Sequence, residues 1–140
     1  MHIGTIHRFS GVEGGWDWED VPMRDYGPAR PGVTVRRFIS RRDKSDKLEV
    51  RYFELQPGAR SNFEQHNYEH AVLVLRGRGV VRLGEEVFPI QFGDAVYVEP
   101  DEVHYFQAAE DDTLGFMCAV LDKELRVTVY GEQTLTLFDS

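Results

Sequence analysis

From Val33 onward, apolar and polar positions alternate over short stretches, and glycines or charged turns interrupt each stretch before a helical period can develop. The runs Thr34–Ile39, Leu48–Gln56, His70–Leu75, Val80–Leu83, Val87–Gln91, Ala95–Val98, His104–Gln107, Leu114–Leu121, Arg126–Tyr130 and Thr134–Phe138 are read as strands. Gly77, Gly79, Gly84, Gly93, Pro100-Asp101 and Gly131 punctuate them. No segment of helical period and helical length competes. Many short strands at close spacing in one chain predict an all-β domain, a sandwich or barrel of antiparallel sheets. The first thirty-odd residues have a different texture, polar and rich in Gly, Trp, Asp and Pro, and Gly27, Pro28, Pro31 and Gly32 break any regular element there. Residues 1–32 are therefore expected to form an extended arm, and residues 33–140 one barrel domain.

A chain of 140 residues has room for one domain and can bury a core without disulfide support. Its net charge of −8 argues against nucleic acid, because phosphate binding needs a concentrated basic face. The dense basic stretch, Arg36–Lys47, is interrupted by Asp43 and Asp46 and reads as a solvated loop. The lone Cys118 excludes an intrachain disulfide. The opening MHIGTIHRFS lacks the apolar run of a secretory signal, and no stretch approaches bilayer-spanning length, so a cytoplasmic protein without a membrane partner is expected.

Candidate chemistry concentrates in two windows, Gly58–Gly77 and Gly93–Ala108, which hold His66, His70 and His104, with Glu64 two residues ahead of His66. Histidine at that density points to a metal site. Glu64, His66, Tyr68, His70, Val72 and Val74 share one parity, which on a strand puts them on one face with core aliphatics. His104 leads an alternation with Phe106, and Phe116, Cys118 and Val120 form another inward-looking row, so Phe106, Phe116 and Cys118 are candidate pocket residues. The strand upstream offers two choices, Val50, Tyr52 and Glu54 on one face or Arg51, Phe53 and Leu55 on the other. The second face is more apolar, but it turns Arg51 into the barrel, where a guanidinium needs a carboxylate partner or an anionic ligand.

The two windows resemble the paired motifs of the cupin superfamily. In the first motif, Gly58-ARSNF-Glu64-Gln65-His66-NYE-His70-AVLVLR-Gly77 has the expected spacing, with Glu64 where the first His is usual and His70 where the usual Glu would stand. The second, Gly93-Asp94-AVYVE-Pro100-DEV-His104-YFQA, carries Asp101 where Gly is common and Ala108 where Asn is often found. The text after the second ligand and the GFMC at Gly115–Cys118 are similar to small single-domain cupins whose manganese is held by four histidines.

The resemblance covers roughly residues 51–121. It implies a cupin-type jelly-roll β-barrel with Glu64, His66, His70 and His104 as ligands of one divalent transition metal. A carboxylate among nitrogens suits Mn, Fe, Ni or Zn. Glu64 is either a direct ligand, a hydrogen-bond partner of a ligand histidine, or a base on bound substrate. Tyr68 and Arg51 join Glu64 as candidate catalytic groups, although Tyr68 serves equally as a packing residue at the barrel mouth. Cys118 is either a small buried hydrophobe or a thiol near the metal.

The implied function is that of a metal-dependent enzyme acting on a small oxygen-bearing molecule, by dioxygenase-like oxidation or by lyase or isomerase chemistry. The alternatives are a non-catalytic module that binds metal or metabolite, and a structural cupin whose metal chiefly stabilises the barrel. Small cupins commonly pair, so a homodimer is implied, with the arm adding a strand to a partner. Trp16 and Trp18 are expected to cover the pocket mouth or, by preference, to pack on that partner.

Overall fold

The computed structural model describes residues 4–12 and 15–137. Its strands are β1 (Met23–Asp25), β2 (Val33–Ile39), β3 (Leu48–Leu55), β4 (Glu64–His66), β5 (His70–Arg76), β6 (Arg78–Leu83), β7 (Glu86–Gln91), β8 (Ala95–Val98), β9 (His104–Ala108), β10 (Leu114–Leu121) and β11 (Thr134–Thr136). They form two antiparallel sheets, one in the order β1-β2-β3-β10-β5-β8 and the other β11-β4-β9-β6-β7. The inner faces of the two sheets meet over a core that includes Val33, Leu55, Val72, Val74, Val81, Val98, Phe106, Leu114 and Phe116, all buried. The architecture is all-β, as the alternating pattern predicts.

Backbone geometry fixes the crossings between sheets. Gly77 sits at φ +67° between β5 and β6, and a Cβ there would lie 1.8 Å from the Thr113 carbonyl oxygen, so only glycine can turn the chain from one sheet to the other at that point. Gly115 on β10 leaves room for the Tyr52 hydroxyl, which would stand 2.1 Å from an added Cβ.

Two expectations are corrected. Residues Arg126–Tyr130 do not form a strand; they belong to α1, Lys123–Tyr130. Asp122 caps its start by accepting from the Glu124 amide at 2.9 Å, and Gly131 ends it in the left-handed region. In this helix Arg126 is buried while Val127, Val129 and Tyr130 are exposed, so the valines that suggested a strand decorate a solvent face. The arm, moreover, folds back on its own chain. Met23–Asp25 pair with Arg36–Thr34 on β2, at the edge of the larger sheet. Trp16 stacks on Tyr52 with ring centroids 5.7 Å apart, and Trp18 packs against both Phe38 and Tyr52. These tryptophans cover the outer face of the chain's own sheet rather than the pocket mouth. The expected last strand, Thr134–Phe138, is found as Thr134–Thr136, and Phe138 lies outside the described residues.

Candidate metal centre

The chain passes from one sheet to the other between β4 and β5, so His66 and His70 do not share a strand as parity suggested. They approach one another across the barrel, His66 from the smaller sheet and His70 from the larger, while His104 enters on β9. Glu64 and His104 are register partners on β4 and β9, which directs both side chains to the same face. The donor atoms of His66, His70 and His104 lie within 4.8 Å of one another, and all three residues are buried. Among the described residues this is the group of His, Cys, Asp and Glu side chains gathered closely enough to hold an ion. The Glu64 carboxylate stands outside that group but lines the same cavity.

Hydrogen bonds behind the rings set their tautomers. His66 Nδ1 lies 2.8 Å from the Tyr68 carbonyl oxygen and His104 Nδ1 2.9 Å from the Glu102 carbonyl oxygen. A carbonyl only accepts, so each Nδ1 carries the proton and each Nε2 keeps its lone pair for the interior. His66 Nε2 and His70 Nε2 are 2.9 Å apart. Two ring nitrogens at that distance share either a proton or a cation, and a divalent ion uses all three lone pairs at once. Neutral imidazole is the form the site favours. Burial lowers His66 to about 4, aided by the neighbouring His104, and burial with the nearby Arg51 guanidinium lowers His70 well below the ordinary imidazole value. The donor set therefore fits a transition metal that takes nitrogen ligands.

Aromatic packing supports the rings from outside. Tyr68 lies parallel to His66 with centroids 3.9 Å apart, and the guanidinium of Arg126 sits over the Tyr68 ring, 4.7 Å from its centroid. Sequence inspection missed this contribution of Arg126, because the segment that carries it was read as a strand. Tyr68 thus packs against His66 while also lining the cavity.

The cavity has a volume of about 180 Å³. Arg51, Tyr68, Glu64, His70, His104, Phe106, Phe116 and Cys118 all line it, together with Phe53, so β3 turns its Arg51 and Phe53 face inward. Phe53, Phe116 and Phe106 form a continuous stacked wall, with centroids 5.5 Å and 4.5 Å apart. The Cys118 sulfur lies 3.2 Å from His70 Nδ1 and 3.4 Å from an Arg51 amino group. Burial pushes its thiol up, against the pull of Arg51. Tyr26 and Arg30, which sequence patterning places in the arm without a role, also line the cavity.

A two-sheet β-barrel with three histidines converging in its interior is a barrel of the jelly-roll kind with a cluster that could hold a metal ion. The family model described as "Cupin domain" matches residues 51–120, and the chain belongs to that family. It is 40% identical over 72 residues to the 1-methylthio-D-xylulose 5-phosphate methylsulfurylase of Rhodospirillum rubrum, a match covering 51% of this chain and 46% of that protein. Among solved structures, a cupin 2 conserved barrel domain protein from Rhodopseudomonas palustris is similar at 30% identity and a TM-score of 0.70, over 84% of this chain and 80% of that one. A cupin-2 domain protein of Rhodospirillum rubrum is similar at 31% identity and a TM-score of 0.68, over 75% and 72% of the two chains. The chain spans less than half the length of the curated relatives it matches. No helix among the described residues is long and apolar enough to cross a membrane.

Proposed function

We propose that this cupin is an enzyme for a small oxygen-bearing molecule, with His66, His70 and His104 holding a divalent transition metal and Glu64 adding a fourth donor or a base beside it. The observation that carries this reading is the convergence of His66 Nε2 and His70 Nε2 to 2.9 Å, with a carbonyl fixing the tautomer of His66 from behind. When bound, the metal would supply Lewis acidity, and with iron or manganese oxygen activation as well. The chain's own residues do the rest. The phenylalanine wall excludes water from one side of the cavity, Arg51 presents positive charge on another, and Glu64 and the Tyr68 hydroxyl are placed to exchange protons with a bound molecule.

The methylsulfurylase of Rhodospirillum rubrum supports a small-molecule substrate, since the match to it includes a large part of this barrel. Dioxygenase-like oxidation and lyase or isomerase chemistry remain the two reaction classes of the proposal. A non-catalytic binding module is the competing reading, and a cavity that combines ligand histidines with an acid, a phenol and a guanidinium favours the enzyme. Elemental analysis of protein purified without added metal, joined to oxygen uptake with candidate diketones, thiols and catechols, is the test. Stoichiometric metal in the wild type and its loss in His104→Ala are expected; full metal content in His104→Ala would sink the site as drawn. Stoichiometric zinc would remove oxidation and leave lyase or isomerase chemistry.

A homodimer is part of the proposal. The exposed Val87, Phe88, Phe92 and Tyr97 lie on or between β7 and β8, and those two strands are open edges of the two sheets. Sedimentation showing a monomer at micromolar concentration would refute it. A cytoplasmic location agrees with a single cysteine kept buried and unbridged.

A further inference from the structure

We infer that the molecule bound in the barrel is a small organic anion, whose carboxylate or phosphate pairs with Arg51 beside the three histidines. The inference rests on the proposed use of that cavity as the binding site, and adds the chemical class of what enters it. Arg51 lies on the cavity wall with only 12% of its side chain exposed. The carboxylate nearest to it is Glu49, at 3.8 Å from Nε. Glu49 is already engaged, since it accepts a hydrogen bond from Arg37 Nε at 2.9 Å. Two guanidinium groups therefore share one carboxylate, and one positive charge is left over.

The hydrogen bonding of Arg51 is equally incomplete. Its Nε is buried without a partner, and one amino group reaches only the Cys118 sulfur, at 3.4 Å. A guanidinium taken out of water and left this way is destabilising unless a ligand restores the lost interactions. The guanidinium lies over the Phe53 ring, 5.0 Å from its centroid, but a ring face does not replace the hydrogen bonds lost on burial. Position selects the ligand further. The Cys118 sulfur touches both Arg51 and His70, so the guanidinium lies one side chain away from the donor cluster. A molecule with a donor atom at the histidines and an oxyanion a few bonds away spans the two. Arg30, stacked on Tyr26 at 4.2 Å, adds a second cation to the lining, and the phenylalanine wall suits a short apolar body between the polar ends. Arginine pairs with both carboxylate and phosphate through two parallel hydrogen bonds, so either anion satisfies the geometry.

The test uses the full chain loaded with zinc and freed of excess metal, titrated with benzoate, inorganic phosphate and the neutral amide benzamide in ligand-observed NMR. Wild type is expected to bind at least one of the two anions in preference to benzamide. Arg51→Met, which keeps the length of the side chain and removes its charge, is expected to weaken that anion at least tenfold while changing benzamide less than twofold and leaving the zinc content unchanged. Arg51→Lys should recover part of the preference. Benzoate without phosphate assigns a carboxylate substrate, and the reverse assigns a phosphate ester. Equal anion affinity in wild type and Arg51→Met overturns the inference, as does a wild type that binds neither anion or prefers the amide. Should Arg51→Met fail to fold, wild-type melting temperature decides instead: a larger rise with anion than with benzamide supports the inference, and its absence refutes it. Zinc content separates the two claims. If wild type takes up no zinc, the metal reading fails, and the anion preference is still measured on the metal-free protein.

Discussion

Metal binding to this barrel is predicted to release almost no protons from two of its three histidines, even in mild acid. The perturbation is addition of one equivalent of zinc to metal-free protein at pH 5.5. An ordinary imidazole with a pKa near 6.5 is about 90% protonated at that pH, so a site made of three such groups would expel nearly three protons, about 2.7. Here burial holds His66 at about 4, and a group with that pKa is only about 3% protonated at pH 5.5. His70 lies lower than an ordinary histidine for the same reason, with Arg51 adding to the effect. Two of the three rings are thus already neutral before the metal arrives. The expected release is therefore no more than about one proton per metal. Calorimetric titration in two buffers of different ionisation enthalpy reads the number directly. Release of two or more protons at pH 5.5 would refute the reasoning, because it would mean that His66 or His70 is charged and solvated before the metal arrives.

The same shift gives metal-free stability a pH dependence of definite sign. The unfolded chain protonates His66 below about 6.5, whereas the folded chain resists until about 4. His66 therefore lowers stability progressively as pH falls through that window and adds no further change below it; a urea midpoint that holds constant from pH 6.5 to 4 would contradict this. Leu114→Ala, at a fully buried position paired with Leu55 on β3, is expected to cost about 2–5 kcal/mol in chemical denaturation and to leave metal content unchanged. Gly77→Ala should destabilise by more than the roughly 1–2 kcal/mol of a left-handed alanine, since its Cβ also meets the Thr113 carbonyl; a melting temperature within one degree of wild type would show that the turn can relax.

Alternation and turn residues made the sheets legible, because a strand with one face on the core must repeat every two residues. The histidine cluster was legible from glycine spacing, which marks where the chain must turn or cross. What escaped was everything set by the long-range course of the chain. His66 and His70 share a parity, yet they meet because the chain crosses between sheets between them, and no local pattern reports that crossing. The helix was missed despite two signals, Asp122 in capping position and Gly131 at the far end. Arg126, Val127, Val129 and Tyr130 gave the intervening residues a β-like composition, and only tertiary burial of Arg126 against Tyr68 shows why they coil.

The two options for β3 could not be separated in the sequence because both faces of this strand are buried, each around a charge. Arg51 and Phe53 face the cavity. On the opposite face Tyr52 is fully buried and donates to Glu54 at 2.9 Å, and Glu54 accepts again from Arg76 at 2.9 Å. This polar cluster would lie open to water on the outside of an ordinary antiparallel sheet, but Trp16 lies flat on Tyr52 and within 5.8 Å of the Arg76 guanidinium. The charges on that side are complementary, one carboxylate against one guanidinium, so the arm seals a satisfied network. The Arg51 face is the reverse, with Arg51 and Arg37 sharing Glu49 and Arg51 Nε left without a hydrogen bond. A buried imbalance on one face of a strand whose other face is balanced is not a general feature of how this sheet packs. It singles out Arg51 as the cavity-lining group whose hydrogen bonds the chain leaves open, which is why an anion is the ligand assigned to it.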